Sequence, residues 1–103
     1  MEHIEQPLGI ILDNLQDYDE ELVIMTKNNQ DITKDTFVIL VKQDEINEYK
    51  EKGYNYFLEL FLAREIIDVW SKWRNNKKPT LDEKIKAIIY YSINDAYLPV
   101  DNK

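Results

Sequence analysis

The sequence predicts an α+β fold over residues 1–103 as a single domain, with a mainly antiparallel sheet of about three strands carrying helices, in the order α-β-β-α-β-α-α. Two observations lead there. Apolar residues recur at helical spacing in three stretches, Leu8-Ile11-Leu12-Leu15, Leu62-Ile66-Val69-Trp70-Trp73 and Leu81-Ile85-Ile88-Ile89. Between the first two lie short apolar runs rich in β-branched and aromatic residues, set off by turn-forming residues. The composition allows such a core: 44% of residues are hydrophobic, with only 2 Gly and 3 Pro.

The first helix is expected over residues 6–16, with Pro7 in the first turn, where its missing N–H has no partner to lose. Leu22-Val23-Ile24-Met25 reads as a buried strand and residues 36–41 as a second, joined by a hairpin loop over residues 26–35. A short helix over residues 45–52 is expected to be capped by Asp44 and closed by Gly53 in a left-handed conformation. Ile46 and Tyr49 are expected to face inward. Alternation from Tyr54 to Phe61 predicts a third strand, and Phe57 and Phe61 make both its faces apolar, so we expect both faces to be covered. The following helix places Arg64, Asp68 and Lys72 at i, i+4 spacing, suited to ion pairs. Thr80 and Glu83 match a capping box ahead of the last helix, and residues 95–99 leave it extended.

The formal charge is −7 and unevenly placed. Residues 1–53 hold 13 acidic and 5 basic side chains, a balance of −8, whereas residues 54–103 hold 7 and 8, a balance of +1. Such a half repels phosphate backbones and anionic membranes and attracts a basic partner. The chain has no cysteine, which excludes disulfides, thiolate nucleophiles and Cys-based metal sites. Met-Glu-His-Ile-Glu has neither the basic nor the apolar segment of a signal peptide, and charges interrupt the apolar stretch at residues 54–73, so we expect a cytoplasmic protein without a membrane span.

Catalytic constellations are sparse. His3 is the only histidine and sits near the N-terminus, Ser71 and Ser92 fall inside predicted helices, and neither glycine belongs to a phosphate-binding pattern. Asp17, Asp19 and Glu21 alternate as calcium ligands do, but the glycine and distant glutamate of a calcium loop are missing, so no metal and no cofactor are expected. Lys72, Arg74, Lys77 and Lys78 surround Trp73, a pattern that grips single strands, yet they oppose an acidic remainder; no nucleic-acid partner is expected. The acidic side chains are the stronger lead. Asp17, Asp19, Glu20 and Glu21, with Asp44, Glu45, Glu48 and Glu51 on and before the short helix, form a candidate protein-binding surface.

In size, acidity and expected architecture, the chain resembles the small bacterial immunity proteins that neutralise the toxic C-terminal domains of contact-dependent growth inhibition and related polymorphic toxins. Residues 54–100 also resemble a family of uncharacterised bacterial domains, through Ile66-Ile67-Asp68, the Lys78-Pro79 turn and Tyr90-Tyr91 followed by Asn94-Asp95-Ala96-Tyr97. The resemblance implies a cytoplasmic, non-catalytic protein that binds one cognate toxin domain, often a nuclease, and assigns no residue a role. Two alternatives stay open: a non-catalytic interaction or regulatory domain, dimeric or not, without a toxin partner, and a carboxylate-based hydrolase.

Overall fold

Pro7 decides where the first helix begins. Its ψ of 141° is extended, so Gln6–Pro7 form a two-residue strand, β1, and the helix α1 spans only Leu8–Asp13. The amides of Leu8 and Gly9, which a helix start leaves without intrahelical acceptors, donate to Thr36 O and Lys34 O, each at 2.8 Å. Asn14 ends the helix: its side-chain Nδ2 donates to Ile10 O at 2.8 Å, and a 3-10 turn at Leu15–Asp17 follows. The helix expected over residues 6–16 is therefore short, bracketed by a proline and an asparagine.

The computed structural model describes residues 5–27 and 31–100, which leaves His3 and residues 28–30 of the hairpin loop outside the described residues. The remaining elements are β2 (Val23–Thr26), β3 (Phe37–Val41), α2 (Ile46–Glu51), β4 (Asn55–Glu59), α3 (Leu60–Lys72) and α4 (Leu81–Asn94). The fold is α+β, with one antiparallel sheet of four strands ordered β1-β3-β2-β4. The strand beyond the expected three is β1, which pairs Gln6 with Val38 and Pro7 with Phe37.

The sheet is covered on both faces. On one, Leu8, Leu12, Ile24, Leu58, Ile66 and Ile88 form the main core with α1, α3 and α4. On the other, Val23, Met25, Ile39 and Val41 pack against Ile46, Tyr49 and Tyr54. Central β2 is buried at every position, which explains why its sequence is apolar without alternation. Its one polar residue, Thr26, donates to Phe37 O at 2.9 Å. Ile46 and Tyr49 face inward as expected, and Gly53 has the left-handed φ of 96°.

The expectation that both faces of β4 are covered fails at Tyr56, which is 45% exposed. β4 lies at the edge of the sheet, next to β2 alone. The apolar alternation misled because the register slips: Ile24 pairs with Leu58 and Met25 with Tyr56, so Phe57 is the extra residue of a bulge. Phe57 then packs on the same core as Leu58, leaving one face of β4 less apolar than alternation implies. Phe61 is not in the strand but in α3, and it is 44% exposed.

α3 follows β4 without a loop, beginning at Leu60. That junction turns Leu60, Ala63, Ile66 and Trp70 into the core and leaves Leu62 and Val69 half-buried. Trp73, expected on the inward stripe, is 51% exposed and stands edge-on to the Tyr97 ring at 5.8 Å. Of the expected ion pairs, Asp68–Lys72 forms at 3.0 Å, while Arg64 turns instead to Glu20 at 3.3 Å.

The capping box ahead of α4 forms as expected: Glu83 N donates to Thr80 Oγ1 at 3.2 Å, and Thr80 N to Glu83 Oε1 at 2.9 Å. Ala87 and Ile88 are fully buried, with Leu81 and Ile85 packed beside them. Asp95 closes the helix in a left-handed conformation, and the chain returns across α3 through Tyr97 and Leu98. No described helix is long and apolar enough to cross a membrane.

Candidate protein-binding surface

The acidic residues of the first half gather mainly at one end of the sheet. Asp19 Oδ1 accepts from Glu21 N at 3.0 Å, a side-chain turn that places Glu20 and Glu21 just before β2. This turn is fixed on one side by Phe61 N and Leu60 N, which donate to Glu20 O and Leu22 O at 3.0 and 2.9 Å. On the other side Gln43 Nε2 donates to Glu21 O at 3.1 Å. That bond ties the 17–21 segment to the 3-10 turn Gln43–Glu45, so Asp44 comes beside Glu21 although 23 positions separate them.

Asp44 is exposed and does not cap the helix. Glu45 Oε1 accepts from Lys42 N at 2.9 Å and so closes the 3-10 turn that precedes α2, while α2 itself has no side-chain cap. Glu48 pairs with Lys52 at 3.2 Å, and Glu51 is exposed further along α2, which runs away from the acidic end toward Gly53. Asp17 closes the first 3-10 turn and is exposed. The structure thus brings together Asp19, Glu20, Glu21 and Asp44, uses Glu45 locally, and spreads Glu48 and Glu51 along a flank.

Glu59 joins this end and was missed by the sequence reading. It sits opposite Val23, the first residue of β2, through a strand pairing that no local pattern announces. Five carboxylates therefore crowd this end against Arg64 and exposed Lys42, and their summed field is negative.

Lys72, Arg74 and Lys77 of the basic corner are occupied with the fold itself. Lys72 pairs with Asp68 at 3.0 Å, and Lys77 with Glu83 at 3.3 Å. Arg74 donates to the Trp70 and Pro99 carbonyls at 3.0 and 3.1 Å. A groove of about 720 Å³ between α1, α3 and the α3–α4 connection has Leu12, Leu15 and Ile67 on its floor. Its charges meet one another: Lys84 lies 3.1 Å from Asp13, and Arg64 pairs with Glu20. The Ser71 and Ser92 hydroxyls donate to Lys77 O and Ile89 O, each at 2.7 Å. Among the described residues no group of three or more His, Asp or Glu side chains could hold a metal ion, at residues 17–21 or elsewhere.

Neither the curated proteins nor the solved structures offer a match to this chain. A family model matches residues 5–100, spanning both the acidic half and the helical half, and the chain therefore belongs to the family described as domain of unknown function DUF7716.

Proposed function

We propose that this protein is a non-catalytic cytoplasmic binding protein of the immunity type, which captures a basic toxin domain through the acidic end of its sheet. The observation that carries this reading is the Gln43–Glu21 bond, which joins two acidic segments distant in sequence into one surface. Carboxylates arrayed this way imitate the phosphate charge of a nuclease substrate, and they accelerate encounter and set specificity as well as affinity. The resemblance to immunity proteins agrees with that chemistry.

The test begins with the gene directly upstream. If it encodes a toxin with a basic C-terminal domain, that domain is titrated with wild-type protein and with the triple variant Glu20→Lys, Glu21→Lys, Asp44→Lys. The variant is expected to fold, since exposed charge changes usually shift stability by only about 0.5 kcal/mol. Its affinity should fall by several kcal/mol, because like charges then face each other. Reversing Lys77 and Lys78 is the control and should scarcely matter. Silent acidic reversals, or loss of binding in the control, would overturn the reading.

A further inference from the structure

The two edges of the sheet are built differently. β1 is two residues long and contains Pro7, so one edge offers little backbone to a partner. β4 is five residues long, and among the described residues nothing pairs with its outer side. Natural edges are usually blunted by lysine, proline or a covering element, yet no Lys, Arg or Pro occurs from Tyr54 to Ala63. The bulge at Phe57 and the charge of Glu59 are the blunting features of this strand. Large rings stand exposed in and beside the strand: Tyr56 is 45% accessible, and Phe61, in the first turn of the helix that follows, is 44% accessible. Exposed aromatics of this kind anchor partners well, because they bury much area at little entropic cost.

We infer that the free edge of β4 is a docking strand, which adds an extended, basic segment of the partner polypeptide to the sheet as a fifth strand. The inference rests on the acidic-surface reading above and names the segment type that reading leaves open. Charge selects the occupant. Glu59 ends the strand and is continuous with Glu20 and Glu21, which the Phe61 and Leu60 amides hold against the β4–α3 junction. The Glu59 carboxylate also acts on Tyr56, whose hydroxyl pKa is raised by burial first and by Glu59 second. A second copy would bring another −7 chain, with the same carboxylates, to this edge. A basic strand would instead place its backbone on the open row and its alternate side chains beside Glu59 and Tyr56.

The probes are a short peptide of alternating Lys and Val and the same peptide N-methylated at every second residue, titrated into the isotope-labelled full chain. Amide shifts centred on residues 55–59 are expected, with the N-methylated peptide at least about tenfold weaker because backbone hydrogen bonds are lost. Tyr56→Lys should weaken the unmodified peptide similarly while leaving the spectrum that of a folded chain. If both peptides bind equally and shift only residues 19–21 and 44, the docking strand is refuted while the acidic surface stands. If neither peptide binds, the docking strand is refuted, and the acidic-surface reading is decided by the toxin-domain titration above. Concentration-dependent self-association that broadens residues 55–59 would also overturn the inference, in favour of a second copy.

Discussion

The Arg74 guanidinium lies 4.4 Å over the Trp70 ring, with Arg74 one helical turn beyond Trp70 at the end of α3. From there Arg74 donates to Trp70 O, Leu98 O and Pro99 O at 3.0, 3.4 and 3.1 Å. One side chain thus closes the helix end, stacks on the core tryptophan and holds the returning C-terminal segment. Arg74→Ala should cost about 1.5–3 kcal/mol, the range for hydrogen bonds to a charged group. Amide hydrogen exchange should quicken first at residues 97–100, and unchanged exchange there would show that Arg74 does not hold the segment.

Trp70 and Ile88 are both buried, on helices α3 and α4 that pack together. Trp70→Ala should destabilise the protein by about 3–5 kcal/mol, the transfer loss plus the unfilled cavity. Trp73→Ala should cost well under half as much, because that ring is largely exposed and touches mainly Tyr97. Urea unfolding of the two variants, read by far-UV circular dichroism, ranks them; the reverse order would contradict the helical face described.

The two glycines are needed for different reasons. A Cβ on Gly53 meets nothing within 4 Å, but its φ of 96° is strained for any L side chain. Gly53→Ala should therefore cost about 1–2 kcal/mol of backbone strain. A Cβ on Gly9 would come to 3.2 Å of Leu81 Cδ2, Lys34 Cβ and Lys34 O, where α1 approaches the β3 loop and α4. Gly9→Ala gains some helix propensity yet forces that junction apart, and about 1–3 kcal/mol of overpacking should outweigh the gain. Equilibrium unfolding of both variants checks this.

The Glu83 carboxyl is held below its ordinary value of 4.5, first by the Thr80 backbone amide and then, against some burial, by Lys77. A depressed acid pKa contributes stability at pH above the unfolded value and loses it as the pH falls through the folded one. The wild type should therefore show a stability loss below about pH 4.5 that Glu83→Gln flattens. Thr80→Ala should cost about 1 kcal/mol at neutral pH through the lost cap. Melting curves across the acid range give both results.

Tyr97 titrates at the other extreme. Its hydroxyl donates to Glu65, and that bond, with burial behind it, pushes the pKa from 10.0 up to about 12. A raised pKa contributes stability in full below the unfolded value and loses it as the pH climbs through the folded one, here between 10 and about 12. Ultraviolet titration should show a last tyrosine step near pH 12 that Tyr97→Phe removes and Glu65→Gln shifts down. A late step that Glu65→Gln leaves in place would exclude the bond.

Much of this protein follows from local rules. The Thr80–Glu83 box, the left-handed Gly53, the inward Ile46 and Tyr49 and the buried Trp70 and Ile88 depend on residues within a turn or two of one another, where spacing and capping chemistry act. Charge could be counted along the chain, so the acidic half was legible too. The tertiary structure alone decided how those carboxylates group, because the Gln43–Glu21 bond and the Val23–Glu59 pairing span distances in sequence over which no periodicity extends. It also decided that β4 is an edge. Alternation reports which faces of a strand are apolar, but a single bulge at Phe57 sends two neighbouring side chains to one core, and strand order is set by the packing of the whole sheet.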